Sequence, residues 1–251
     1  MSNLSVNTIT DASGGSTASI NGLTPQASNM QPFNRIINGA MTVDQRNAGA
    51  SVTPTNGQYS VDRFWTQNSV VSKFSLQQNA GAIEPPTGFK NYVGITSLSS
   101  YTLLAGDYFS FNQTIEAYNI QDLAFGTAEA KSITLSFWVR SSLTGVFGGA
   151  LSIPSGARTY QFNYSITAPN TWEFKTVVLV GDVTGTWPSG NSGGMRICWG
   201  LGVGSTYGSG TAGAWSASNM LTATGATSVV GTNGATFYIT GVQLEAGSTA
   251  S

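Results

Sequence analysis

The chain contains no histidine at all. That one absence removes Ser-His-Asp and Cys-His catalysis and most zinc sites. There is a single cysteine, Cys198, in Met195-Arg-Ile-Cys-Trp199. It cannot form an internal disulfide, and without a histidine partner it is a poor nucleophile. It reads as a small apolar residue buried in a strand. Charge is scarce: 8% of residues are charged, with 10 Lys and Arg against 11 Asp and Glu. An ordinary soluble domain carries about 25%. The cations are scattered and form no basic stripe, so nucleic acid is not an expected partner. No apolar run is long enough to span a membrane, and no insertion is expected. The N-terminus shows no charged-then-apolar leader, so secretion by that route is not expected either.

No helix-period run of any length occurs. Gly200-Leu-Gly-Val-Gly204 has alternating glycines, with no following Lys-Ser/Thr pair, and is not a phosphate loop. Asp107, Glu116, Asp122, Glu129, Glu173 and Asp182 are isolated from one another in sequence. Folding could still assemble a glycosidase-type carboxylate pair, but no catalytic residue is assigned and no enzymatic activity is expected.

What is present points to strands. Hydrophobic residues make up 40% of the chain and aromatics 11%, and there are 31 glycines. That is too apolar for disorder. Ser132-Ile-Thr-Leu-Ser-Phe-Trp-Val139 alternates, placing Ile133, Leu135, Phe137 and Val139 on one face and Trp138 on the other. Tyr160, Phe162, Tyr164 and Ile166 also share a face. In Trp172–Val180 the alternation predicts Trp172, Phe174, Val178 and Val180 facing in, with Glu173 and Lys175 in water. Asp107 to Ile115 reads as a further strand. Phe237 and Ile239 are out of phase with Val242 and Leu244, which predicts a β-bulge at Gly241. Residues 121–130 are expected to hold a short helix. Asp62-Arg63 reads as a structural ion pair or a cap to the sheet.

Residues 185–231 are rich in Gly, Ser and Thr, and are expected to hold one strand, Met195–Val203, between long loops. Long loops in a compact domain often carry function. Trp187, Tyr207 and Trp215 lie in them and are the candidate carbohydrate-stacking residues. The alternative is that they plug the ends of a sandwich or pack on partner subunits. Asn38, Asp44 and Glu245 are oxygen donors near the two ends of the module and are candidate ligands for a structural calcium, though no dense Asp-x-Asp loop accompanies them. No other cofactor is expected. Residues 1–30 read as a separate extended arm whose apolar side chains, Leu4, Val6, Ile9, Ile20 and Leu23, need a partner to dock on.

Asn34-Arg-Ile-Ile-Asn-Gly-Ala-Met41, Gln45-Arg46, Tyr59-Ser-Val-Asp-Arg-Phe-Trp65 and Ile239-Thr-Gly-Val-Gln-Leu-Glu-Ala-Gly247 form a pair of bookends. They resemble a module of bacteriophage tail-fibre and other virion surface proteins. Gln113-Thr-Ile-Glu116 and Leu135-Ser-Phe-Trp-Val-Arg-Ser141 resemble its middle strands, and are similar to jelly-roll carbohydrate-binding modules of the galactose-binding-like type. Leu4-Ser-Val-Asn-Thr-Ile-Thr10 resembles the openings of phage virion proteins.

The resemblance implies an all-β, antiparallel jelly-roll β-sandwich over residues 31–251, a virion location and a homotrimer bound to other virion proteins through the arm. Two functions stay open on this basis: a tail-fibre or spike module that binds host cell-surface glycans, and a capsid decoration protein or head fibre without a sugar site. A polysaccharide depolymerase is a third, less favoured reading.

Overall fold

A computed structural model of the protein describes residues 34–249. The arm residues Leu4, Val6, Ile9, Ile20 and Leu23 lie outside the described residues. The strands are β1 (Phe64–Asn68), β2 (Phe74–Gln78), β3 (Val93–Ser97), β4 (Tyr108–Glu116), β5 (Ile133–Ser141), β6 (Gly145–Ser152), β7 (Thr159–Ile166), β8 (Glu173–Leu179), β9 (Gly193–Val203), β10 (Trp215–Ser216) and β11 (Thr236–Ala246). They form a six-stranded sheet, β1-β4-β9-β6-β7-β10, and a five-stranded sheet, β2-β3-β11-β5-β8. Every neighbouring pair is antiparallel. The chain crosses repeatedly between the sheets, so strands distant in sequence become neighbours. This is an antiparallel jelly-roll β-sandwich.

Period-2 alternation builds the core. Phe109, Phe111 and Ile115 of β4 face Ile133, Leu135, Phe137 and Val139 of β5 across the sandwich, all buried. Phe64 and Phe111 stack at 4.9 Å, and Trp199 packs edge-on against Phe137 at 5.7 Å. Each such side chain contributes about 1.5–3 kcal/mol on leaving water. The bulge at Gly241 is where the sequence places it. The β11–β5 register shifts between Thr240 and Gln243, Gly241 has φ 61°, and Phe237, Ile239, Val242 and Leu244 all become buried.

The two bookends meet. Arg35 N–H donates to Leu244 O, and Val242 N–H donates to Gly39 O. The Gln113 side chain clasps Ile37 from both sides, accepting its N–H at 2.9 Å and donating to its carbonyl at 2.8 Å. Gly39 is required by this approach, because a Cβ there would stand 2.0 Å from Val242 O.

Four expectations need correction. The phase of β8 is reversed: Phe174, Val178 and Val180 are exposed, while Leu179 is buried. The register gives the reason. Ile133 pairs with Leu179, Leu135 with Val177 and Phe137 with Lys175, and directly opposed residues share a face. Glu173 and Lys175 tolerate that inner side by pairing with each other at 2.6 Å. The helix expected over 121–130 is instead a 3-10 helix at Ala117–Leu123, and a second 3-10 helix spans Ala80–Ala82. The loop expected after Val203 contains β10. Asp62 and Arg63 do not pair with each other: Asp62 accepts the Gln45 N–H, and Arg63 pairs with Glu116.

Candidate functional site

β7 runs with Tyr160, Phe162 and Tyr164 in the core. Alternation therefore turns Thr159, Gln161 and Asn163 to the outer face of the six-stranded sheet. The loop after β9 folds back over this face. Leu221 packs on Ala150 and Cys198, while β10 pairs Trp215 with Tyr160, so that its indole shares the inner face of β7 and packs on the Tyr160 ring at 5.2 Å. Between the loop and β7 lies a pocket of about 370 Å³ lined by Gln161, Ser209, Thr211, Trp215, Ser218 and Met220, among others. That volume is at the small end of the ~300–1,000 Å³ typical of ligand pockets. Gln161 is buried; its Nε2 donates to Thr159 Oγ1 at 2.6 Å, and its Oε1 has no hydrogen-bond partner.

Two of the three aromatic candidates come together. Trp187 and Trp215 lie with ring centroids 5.6 Å apart at 88°, and both pack edge-on against Phe125. Their polar edges are fixed. Trp215 Nε1–H donates to Val180 O at 2.8 Å, and Trp187 Nε1–H donates to Asp182 Oδ2 at 3.0 Å. Arg158 grips the same carboxylate through Nε at 2.8 Å and lies 5.6 Å from the centre of the Trp215 ring. Trp187 lines a separate, smaller hollow of about 240 Å³ with Phe125 and Pro188. Tyr207 belongs elsewhere. It packs edge-on against Tyr108 at 5.6 Å beside Cys198 and Leu221, and its carbonyl accepts the Leu221 N–H.

The sequence reading missed Gln161, Arg158 and Asp182. Gln161 was legible as the outward partner of Tyr160 and Phe162 but carried no signal of its own. The Arg158–Asp182 pair joins residues 24 apart, which spacing alone does not link.

Four carboxylates, Asp182, Glu116, Asp107 and Glu173, are held below their ordinary range. Burial alone would raise Asp182, but hydrogen bonds from Arg158, Trp187 and Thr184, with the Arg158 charge, bring it below its ordinary value. At Glu116 burial is likewise outweighed by Arg63 and Asn119. At Asp107 it is outweighed by Leu104 N–H, Ser69 and Tyr101. Glu173 is the extreme: burial is outweighed by Lys175 and by the N–H groups of Ala168 and Thr167, which lower it to about 2. A glycosidase acid needs the opposite shift.

The calcium candidates are occupied with local structure. Asn38 Oδ1 accepts the Val43 N–H at 2.9 Å, while its Nδ2 donates to the carbonyls of Val43 and Asp62. Asp44 Oδ2 accepts the Gly49 N–H at 2.8 Å. Glu245 is buried on β11 opposite Thr134. Among the described residues no group of three or more His, Cys, Asp or Glu could hold a metal ion. No helix among them is long and apolar enough to cross a membrane.

No protein-family profile matches the chain. No curated protein matches it in sequence. Among solved structures it is similar to the enzymatically active domain of tailspike protein 4 from bacteriophage CBA120, at 12% identity and TM-score 0.45. That alignment covers 85% of this chain and 21% of the tailspike, so the chain spans about a fifth of it. It is also similar to TmCBM61 in complex with β-1,4-galactotriose, at 11% identity and TM-score 0.42, covering 86% of this chain and 99% of that one. A third is the family 11 carbohydrate-binding module from Clostridium thermocellum in complex with a mixed-linked tetrasaccharide, at 11% identity and TM-score 0.37. It covers 79% of this chain and 97% of that one. The structures that the chain is similar to are thus carbohydrate-binding modules and a phage tailspike domain, while its own strand order defines it as an antiparallel jelly-roll β-sandwich.

Proposed function

We propose that the protein is a non-enzymatic surface module of a bacteriophage particle, of tail-fibre or spike type, that recognises a host glycan at the Trp215 pocket. The observation that carries the reading is the pocket's composition. Trp215, its indole N–H already satisfied, lines it together with Ser, Thr and Gln residues, one of which, Gln161, has an unused acceptor. A sugar offers an apolar ring face and a rim of hydroxyls, which is the complement of that surface. The bookend motifs, with the resemblance they carry, support the virion location and a trimer joined to its neighbours through residues 1–30.

The test is a glycan array probed with the full chain, with electron microscopy of intact particles to locate it. Binding to a defined host glycan and a position at a fibre or spike support the proposal. No bound glycan, with a position on the capsid, overturns it. Release of new reducing ends from host polysaccharide, abolished by replacing one Asp or Glu, would make the protein a depolymerase.

A second reading, a capsid decoration protein or head fibre, is favoured by the exposed apolar row formed by Phe174 and Val178 on β8 and by Val180 just beyond it. Phe174, Val178 and Val180 are 46%, 44% and 57% exposed, respectively. Such a row suits contact with another protein subunit better than contact with water.

A further inference from the structure

Arg196 lies on β9 between Met195 and Ile197, which are both in the core, so its side chain leaves the outer face of the six-stranded sheet. It is 5% exposed. Its hydrogen-bond partners are neutral: Nε donates to Ser152 Oγ at 3.1 Å and Nη1 to Gln67 Oε1 at 3.3 Å. The ion pairs among the described residues engage Arg35, Arg63, Arg158 and Lys175, each with a carboxylate, and none engages Arg196. A nearly buried cation held only by neutral acceptors is unfavourable on its own. It becomes favourable when an anion completes it.

A second unsatisfied group stands on the same face. Trp65 and Gln67 are two residues apart on β1, and Trp65 is directly opposite Asn112, itself opposite Cys198. Trp65 is half-buried, and its indole N–H is buried without a hydrogen-bond partner. β1 and β9 flank β4, so the two groups stand on strands two spacings apart, about 10 Å. The polar row continues toward the Trp215 pocket. Arg196 is opposite Ser152, and Ser152 is opposite Thr159. Thr159 Oγ1 accepts from Gln161 Nε2 and donates to Ser218 O, and both Gln161 and Ser218 line that pocket.

We infer that Arg196, with Gln67 and Trp65, forms a subsite for a carboxylate-bearing sugar, so that the glycan taken by this protein is a uronic-acid polymer. The inference rests on the glycan reading of the Trp215 pocket and deepens it. The charge count selects the ligand class. One guanidinium carries one positive charge with no carboxylate partner among the described residues, which suits a monoanionic carboxylate. A phosphomonoester carries about −1.5 to −2 and calls for more than one cation. Arg63 is committed to Glu116 and does not supply the second.

The experiment compares binding of the wild-type chain to polygalacturonate, hyaluronan and alginate with binding to their carboxyl-reduced forms, by affinity electrophoresis. The expected result is at least one uronate polymer bound about tenfold or more tightly than its reduced form, as a charge-assisted pair would give. Added salt should erode that preference, and Arg196→Gln should erase it while leaving the reduced form bound as before. Equal binding of charged and reduced polymers, or a preference that survives Arg196→Gln, overturns this inference and leaves the Trp215 pocket standing. Failure to bind any of the six polymers overturns the uronate assignment, and a glycan array empty of ligands removes the pocket reading beneath it. Should Arg196→Gln fail to fold, the wild-type comparison and its salt dependence decide the matter alone.

Discussion

The Asn34 carboxamide accepts the Leu244 N–H at 2.9 Å, joining residues 210 apart in the chain. The same oxygen accepts the Ile36 N–H, and the Asn34 amide group donates to Val242 O. One side chain thus ties the first described segment to the last strand just beyond its bulge. Asn34→Ala would leave these backbone groups without partners. The expected loss is about 1–3 kcal/mol, the cost of stranding buried donors. In a domain of this size that lowers the melting temperature by about 2–4 °C per kcal/mol. Gly39→Ala, which drives a Cβ into Val242 O, should cost more than Asn34→Ala. Thermal melts of the two variants check both size and order.

Acid should unfold the module through its paired carboxylates. Glu173 is held at about 2, against an ordinary 4.5. A carboxyl lowered by folding stabilises the native state at neutral pH. That contribution is lost as pH falls from about 4.5 through about 2, since the unfolded state then binds more protons. Asp107, Glu116 and Asp182 shift in the same direction. The urea midpoint should therefore drop across this window. Glu173→Gln should start lower at neutral pH and fall less steeply. An unchanged slope in that variant would remove Glu173 from the account.

The reversed phase of β8 is testable by exchanging its two faces. Val178→Lys should change stability by no more than about 0.5 kcal/mol, as for other surface positions. Leu179→Ala should cost about 2–5 kcal/mol, because its site is fully buried. Sedimentation of Val178→Lys also tests the apolar row, and reduced self-association is expected.

Calcium should be dispensable. The oxygens of Asn38 and Asp44 are engaged in closing the 38–49 loop. Melting curves in chelator and in excess calcium are expected to coincide. A large rise with calcium would show that these donors rearrange around an ion.

Much of this fold was legible because strand alternation is a local signal. Ile133, Leu135, Phe137 and Val139, and the bulge at Gly241, follow from period alone. The phase of β8 did not, because both of its faces carry apolar residues and only its register with β5 chooses between them. Trp187 and Trp215 were singled out as aromatics in glycine-rich loops, and the structure joins them. Tyr207 carried the same signal and sits in a different cluster. The outward position of Gln161 followed from alternation, but nothing in the sequence marked it or Arg196 as a site residue, because what marks them is an unused acceptor and a charge without a carboxylate partner. Those properties exist only once the neighbours are in place.

The most direct test of the account is the glycan affinity of the wild type beside Trp215→Ala and Tyr207→Ala, measured by titration calorimetry on the best array ligand. An aromatic contact of about 0.5–1.5 kcal/mol predicts a loss of roughly two- to more than tenfold for Trp215→Ala with the fold intact, and little change for Tyr207→Ala. A folded Trp215→Ala variant that binds as tightly as the wild type would contradict the assignment of the pocket.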